Sequence, residues 1–437
     1  MNKLDLAKWT QNFAKKQGAN ETSVVISNSR SIDVEFRDGN IDKLTEATEN
    51  SLSIELYAGG KYSSHRTNDL RKPALQKFVN NALAMTKYLG EDPFQALPDP
   101  ALYEGRPEMD LQLFDANYHQ VETKERVANA RQIFERIDGK DDRIVSVTSY
   151  FSDSHYENIH LKSNGFEGSY ENSTFGAGAE VSLDDGSGKK PQSWRHYSTR
   201  HLKDLPDLNM IADEALKRTQ DSVGQNKIES GSMSMILPND QGRGLLGRMF
   251  GALNGGNLQQ KNSYLDGKLN TKICSDLLTI VDDPTIIRGM GSRYYDGDGV
   301  AAKVMPVIDK GVLKNYYIDV YYGRKLEMTP TSGGTSNVTF APGKRSGAEI
   351  EKDMDRAILV TGFIGGNANT TTGDFSLGVS GWLIENGVRT KPINEMNISG
   401  NYSDVLNQLV EVGNDPYQYS SWRTPTLVFD GIQFAGL

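Results

Sequence analysis

The sequence predicts an α+β protein of two lobes. Three observations carry this prediction: amphipathic helices and alternating strands follow one another twice in the first half, the composition becomes small and polar at residues 224–232, and short strands and glycine dominate the rest. We therefore assign residues 1–225 to an N-terminal lobe, a pseudo-repeat of helices and antiparallel strands. Residues 226–437 form a strand-rich, glycine-rich C-terminal lobe.

The first unit of the N-terminal lobe reads as helix, antiparallel strands, helix. Residues 4–16 have a helical pattern that ends at Gly18. Residues 31–36 and 51–56 alternate between apolar and polar side chains, and Asp38-Gly39 is a hairpin signal between them. Pro73 opens a second helix that reaches about residue 89.

The second unit follows a proline-containing connector at residues 90–106 and has the same order of elements. Residues 122–137 predict a helix, residues 144–199 are strand-rich, and residues 207–223 predict another helix. Asn164-Gly165 is the hairpin signal of this unit. The order of elements, rather than residue identity, indicates a pseudo-repeat.

The C-terminal lobe is organised around one helix. A strand at residues 233–237 precedes it, and Asn239 or Asp240 is its expected N-cap. Gly255-Gly256 is expected to end it. Its apolar face is formed by residues at helical spacing, namely Leu245, Leu246, Met249, Phe250 and Leu253.

Short hairpins and three further helices complete the predicted lobe. Residues 303–308 pair with 312–318 across Asp309-Lys-Gly311, and a second hairpin turns at Asn386-Gly387. The three helices are expected at residues 319–326, at 346–356 after a Ser346/Glu349 capping box, and at 403–410.

Composition excludes several classes of protein. The 437 residues carry 48 Lys and Arg against 57 Asp and Glu, a net charge of −9, so no basic field favours nucleic acid. No apolar run approaches the ~20 residues that cross a bilayer. The single cysteine excludes an internal disulfide framework, and the first residues form an amphipathic start rather than a signal peptide. We expect a cytoplasmic protein.

Several catalytic interpretations fail on spacing. Gly242, Gly244 and Gly247 match G-x-G-x-x-G, with Asp266 at a suitable distance, but no apolar strand follows on schedule for a dinucleotide fold. Two residues separate Gly373 from Ser376, so the segment does not form G-x-S-x-G. His155 and His160 are five apart in a strand and point to opposite faces, so they cannot share a metal ion locally. We assign no catalytic residue.

The C-terminal lobe resembles the TldD/PmbA family, once described as modulators of DNA gyrase and regarded as components of metallopeptidases. The matching segments, in order, are Gly244–Gly256, Leu278–Pro284, Asp298–Val300, Asp309–Leu313, Tyr322–Leu326, Gly373–Gly378, Trp382–Gly387, Ile398–Asn401 and Val412–Asp415. They span about two hundred residues, so the resemblance is specific.

The resemblance implies the branch without zinc ligands, PmbA or TldE. In TldD-type members the corresponding helix carries His-Glu-x-x-x-His; here those positions fall on Gly247, Arg248 and Ala252. Glycine and alanine have no ligand atom, and arginine is a permanent cation. All six histidines precede residue 202, and Cys274 is far from the C-terminal position of the family's Cys ligand. We therefore expect no metal and no other cofactor on this chain.

The resemblance also implies a partner. TldD-type and PmbA-type chains pair, with zinc on one partner and a chamber between them that admits unfolded peptide. The residues that we expect to line the chamber or bind peptide are Arg248, Gly255, Gly256, Gly333, Gly334, Asn337, Asp374, Phe375, Ser376, Asn414 and Asp415. Arg248 would stand where the partner has its catalytic glutamate. Two alternatives stay open: the glycine and asparagine loops are only tight turns, or the chain is a stand-alone homodimeric peptide-binding or scaffold protein.

Overall fold

A computed structural model describes residues 2–437, and its N-terminal lobe is built on one six-stranded antiparallel sheet with the order β3-β2-β1-β4-β5-β6. The strands are β1 (Glu21–Arg37), β2 (Asn40–Ala58), β3 (Lys61–Thr67), β4 (Ile144–Lys162), β5 (Glu167–Leu183) and β6 (Gln192–Thr199). The helices are α1 (Lys3–Lys16), α2 (Lys72–Thr86), α3 (Thr123–Ile137) and α4 (Leu208–Gln220). Each half reads helix, three strands, helix, and the halves join where β1 pairs with β4. The predicted α+β class and pseudo-repeat are confirmed.

Two hydrophobic cores lie beneath these helices because each helix has one apolar face. Leu6 of α1 and Leu75 of α2 pack with Val24 and Leu52 of the first three strands. Ile133 of α3 and Ile211 of α4 belong to the second core, with Phe151 of β4 and Phe175 of β5. Asp38 and Gly39 have φ of 45° and 87°, the left-handed pair that a tight hairpin turn requires.

The C-terminal lobe contains two sheets around one large core. The five-stranded sheet, in the order β10-β9-β8-β11-β16, consists of β8 (Ile280–Asp282), β9 (Met305–Asp309), β10 (Val312–Leu313), β11 (Val338–Phe340) and β16 (Trp422–Arg423). The six-stranded sheet, in the order β14-β13-β12-β7-β17-β15, consists of β7 (Gly231–Leu237), β12 (Arg356–Ala368), β13 (Asp374–Glu385), β14 (Val388–Asn401), β15 (Leu409–Val412) and β17 (Leu427–Ala435). An additional β14–β17 pairing closes five of these strands into a ring.

Helix α5 (Gly242–Met249) begins later than predicted, and its N-cap is Gln241, which makes no side-chain cap. The candidate caps are used elsewhere. Asn239 donates to the carbonyl of Asp415 at 2.7 Å, and the Asp240 carboxylate accepts from Arg195 at 2.7 Å and from Arg218. Tertiary ion pairing therefore replaces the local cap.

The end of this helical segment also differs from the prediction. A short 3-10 turn at Phe250–Leu253 follows α5, and Gly255-Gly256 starts α6 (Gly255–Gln259) instead of ending the helix. Asn254 caps α6, because its side chain accepts from the Gly256 N–H at 2.9 Å.

The remaining helices of the lobe are α7 (Val320–Leu326), α8 (Gly347–Lys352) and α9 (Tyr402–Val405). The Ser346/Glu349 capping box is present. Helix α8 stops at residue 352 rather than 356, because residues from Arg356 onward pair with β13. The helix predicted at 403–410 is only α9 and a 3-10 turn, since Leu409 begins β15. No helix among residues 2–437 is both long and apolar enough to cross a membrane.

Candidate functional site

Helix α5 is anchored in the core of the lobe through its apolar face. Leu245 and Leu246 are fully buried, and Met249 is nearly so. The Tyr402 hydroxyl donates to the Leu245 carbonyl at 2.9 Å and ties the helix to α9. Burial raises the pKa of Tyr402 to about 12, and the Arg248 charge opposes that shift. Tyr402 therefore stays a neutral donor beneath the helix.

The three positions aligned with His-Glu-x-x-x-His have distinct surroundings. A Cβ at Gly247 would have Arg243 Cγ as its nearest neighbour, at an ordinary 3.4 Å, so this position has room for a side chain. Arg248 is half-buried and its guanidinium donates to the Gly244 carbonyl one turn back. Ala252 is fully buried. Together they present a cation and no ligand atom.

Zinc-ligand side chains are also scattered elsewhere in the described part of the chain. Among residues 2–437, no three His, Cys, Asp or Glu side chains form a group that could hold a metal ion. Cys274 is fully buried, and burial raises the pKa of its thiol to about 12, which opposes the thiolate form that binds metal. His155 and His160 contact different partners, Glu171 at 3.1 Å and Ser23 at 3.0 Å. The residues present do not fit a zinc ion.

The hairpin of β12 and β13 packs against α5 at Gly244 and against the following 3-10 turn at Gly251. A Cβ at Gly244 would lie 2.4 Å from the Phe363 ring, and one at Gly251 would lie 3.0 Å from Thr370 Cγ2. Glycine at these two positions therefore lets the hairpin approach the helix closely. The Tyr264 N–H donates to the Thr370 carbonyl at 2.9 Å and fixes the hairpin tip against the segment after α6.

Three predicted site residues lie at the start of β13. The Phe375 ring is buried, and its centroid lies 4.9 Å from the centroid of the Tyr402 ring. The positive charge of Arg248 opposes the rise of the Tyr402 pKa. Asp374 and Ser376 are exposed. Asp374 accepts from Thr372 and Asn401, and Ser376 donates to Asn397 at 3.2 Å. Phe375 and Arg248 therefore both lie beside Tyr402, whereas Asp374 and Ser376 point to the opposite face of the strand.

Five other predicted residues lie in three separate places. Gly255 and Gly256 are buried against Tyr322 of α7, where a Cβ on Gly255 would be 2.9 Å from Tyr322 Cβ. Asn337 is fully buried and binds Asp283, Ser292 and Gly291. Asp415 accepts from Thr426 and from the Gly347 N–H at the start of α8, while exposed Asn414 donates to the Lys344 carbonyl. Their binding roles stay predictions.

Gly333 and Gly334 line a cavity of about 430 Å³ between the two lobes. Sequence reasoning missed its charged wall, to which Glu55 and Lys162 contribute from the N-terminal lobe and Asp298 and Asp319 from the C-terminal lobe. In the sequence, only Asp298 could have indicated this wall, because it lies in a segment that resembles the family. Glu55, Lys162 and Asp319 are single polar residues in ordinary strands and helix caps.

Family models match most of the chain. They are the PmbA/TldA metallopeptidase domain 1 at residues 22–86, the central domain at 117–223 and the C-terminal domain at 230–436. The fold is two-lobed α+β, and helix α5 carries no side chain that could bind zinc. The chain belongs to the PmbA/TldD family.

Individual relatives agree over nearly the whole length. A Bacteroides thetaiotaomicron structure, provisionally named a modulator of DNA gyrase, is 39% identical, with a TM-score of 0.96, and the match covers 99% of this chain and 98% of that one. Metalloprotease PmbA of Escherichia coli O157:H7 is 27% identical over 97% of this chain and 93% of its own length. TldE of Thermococcus kodakarensis, 22% identical with a TM-score of 0.85, shares the fold over 99% of this chain and 100% of its own.

Proposed function

We propose that this chain is a metal-free, PmbA/TldE-like component of a TldD-type metallopeptidase system that cleaves unfolded peptides or small proteins. The observation that carries the proposal is the composition of α5 and of the 3-10 turn after it, which have Gly247, Arg248 and Ala252 where the partner type has two histidines and a glutamate. In this proposal the partner chain supplies zinc, and the two chains enclose the substrate chamber. The single cysteine fits a reducing compartment, and we place the complex in the cytoplasm.

The surroundings of α5 favour the interpretation that this chain lacks the zinc ligands, rather than that other side chains supply them at the same place. Gly247 has space for a side chain, so packing does not require glycine there. Arg248 places a fixed charge on the Tyr402 side of the helix. A fixed cation suits the binding of peptide carbonyl or carboxylate groups better than the activation of water.

The test is hydrolysis of an unstructured fluorogenic peptide by four preparations. They are this chain alone, a His-Glu-x-x-x-His paralogue from the same genome alone, the mixture, and the mixture with a chelator. We expect cleavage that rises steeply only in the mixture and that the chelator abolishes. Cleavage by this chain alone would refute the proposal, as would a mixture no more active than the paralogue.

A second experiment tests Arg248 as a chamber residue. Arg248→Ala in the mixture should lower cleavage, whereas Arg243→Ala, an exposed arginine on the same helix, should not. Size-exclusion chromatography with light scattering shows whether each variant still pairs. Equal activity of both variants would remove Arg248 from the chamber. A chain that forms only homodimers and ignores the paralogue would favour the stand-alone scaffold alternative.

A further inference from the structure

The cavity between the lobes carries both signs of charge. Glu55 and Lys162 project from β2 and β4, and Asp298 and Asp319 lie on the loop and helix cap opposite them. Tyr57 and Tyr62, whose ring centroids are 5.2 Å apart, form a neighbouring part of the wall. These residues form a site with positive and negative charges, and the function proposed for α5 does not involve it.

Lys162 is a buried cation with too few partners. Its side chain is only 2% exposed, and its Nζ lies 3.4 Å from Ser23 Oγ and 4.0 Å from the Glu55 carboxylate. An ammonium group has three N–H donors, and these are its polar partners among the described residues. Burial lowers the pKa of Lys162, and the neighbouring carboxylates oppose that shift. Lys162 therefore lacks a close oxygen acceptor inside the cavity, since the Glu55 carboxylate lies 4.0 Å from its Nζ.

The carboxylates opposite have unused oxygens. Asp298 accepts from the Val320 N–H at 3.0 Å through Oδ2, and Asp319 accepts from the Tyr322 N–H at 2.7 Å through Oδ1. Within residues 2–437, the second oxygen of each makes no hydrogen bond. Burial and the nearby Asp298 charge raise the pKa of Asp319. Arg293, which also lines the cavity, donates to residues 332–335 instead, so neither free oxygen has a cationic donor.

We propose that the cavity binds an α-ammonium group together with the adjacent carbonyl or carboxylate oxygen, the chemistry of a peptide amino terminus or of an amino acid. The ammonium pairs with Asp298 and Asp319, and the oxygen accepts from Lys162. The tyrosine rings lie beside the cation, an arrangement that aromatic faces favour. Binding is a property of this chain alone and goes beyond the component role proposed above, since no zinc partner takes part.

The experiment is titration calorimetry of the full chain with three probes: Ala-Ala-Ala, N-acetyl-Ala-Ala-Ala and alanine. Acetylation removes the cation and keeps the chain length. The tripeptide should bind at least about tenfold more tightly than its acetylated form, because a charge-assisted hydrogen bond is lost. Tighter binding of the tripeptide than of alanine identifies a peptide terminus, and equal binding identifies an amino-acid site. Equal binding of both tripeptides, or no binding, overturns the proposal.

Two variants locate the binding. Asp298→Asn keeps an oxygen for the Val320 N–H but removes the charge, and it should weaken tripeptide binding about tenfold. Gly333→Val adds a side chain whose Cβ lies 3.5 Å from Asp319 Cβ, and it should weaken binding by filling the cavity. Gly231→Val in β7, outside the cavity lining and with nothing within 4 Å of its Cβ, is the matched control and should bind normally. Wild-type affinity in both Asp298→Asn and Gly333→Val, each with an unchanged melting temperature, overturns the assignment.

Discussion

Gly244 and Gly247 of helix α5 differ in what a methyl group would meet. A Cβ at Gly244 lies 2.4 Å from Phe363 Cδ2, far below van der Waals contact, whereas one at Gly247 lies 3.4 Å from Arg243 Cγ. Alanine is favoured over glycine in a helix interior by about 1 kcal/mol. Gly247→Ala should therefore stabilise the protein by about that amount.

Gly244→Ala gains the same helix propensity but must displace Phe363 of β12. Overpacking of this kind costs about 1–3 kcal/mol. The two variants should therefore differ by about 1–3 kcal/mol, with Gly244→Ala the less stable. Urea unfolding followed by tryptophan fluorescence measures the difference, since Trp422 is buried against Phe250 beside the helix. A Gly244→Ala variant as stable as Gly247→Ala would refute the packing argument and, with it, the claim that position 247 alone is open.

Three further predictions concern buried ionisable groups. Burial lowers the pKa of His160 to about 3, below the ~6.5 of the unfolded chain, so the unfolded state binds the extra proton and stability falls as pH drops from 6.5 to 3. His160→Gln should reduce the stability lost between pH 8 and pH 5 by about 2 kcal/mol in urea titrations, and an unchanged loss would contradict the shift. Arg126→Met should cost about 3–5 kcal/mol because it strands the buried Asp153 carboxylate, whereas Arg136→Met at an exposed pair should change little; similar urea midpoints for the two would count against this reasoning. Cys274 should react with a thiol reagent only after unfolding, because it is fully buried and its pKa is raised to about 12, and rapid labelling of the native chain would contradict that.

The N-terminal lobe was predictable because its signals are local. Ile32, Val34 and Phe36 alternate with polar residues, and all three are buried in the sheet. Asp38-Gly39 and Asn164-Gly165 turn the hairpins β1–β2 and β4–β5. Side-chain alternation and turn chemistry need only neighbouring residues, so they can be recognised without knowledge of the fold.

Strand β12 was not predictable in this way. Its second half contains Gly362, Gly365 and Gly366, a composition typical of a loop. Hydrogen-bonded pairing with β13 makes this segment a strand. The register of the pairing shifts between Phe363 and Gly366, where two of the glycines lie. The strand therefore depends on its partner strand, and local propensity indicates only where the pairing is irregular.

The sequence by itself determined the two-lobed α+β class, the pseudo-repeat and the side chains that α5 presents, because each follows from local periodicity or from residue identity. Only the tertiary structure decided that Gly247 is open while Gly244 is closed by Phe363, and that Lys162 faces Asp298 and Asp319. These contacts join residues more than a hundred positions apart. They exist because packing of the lobes and of the β12–β13 hairpin places them together, and no pattern along the chain encodes that distance.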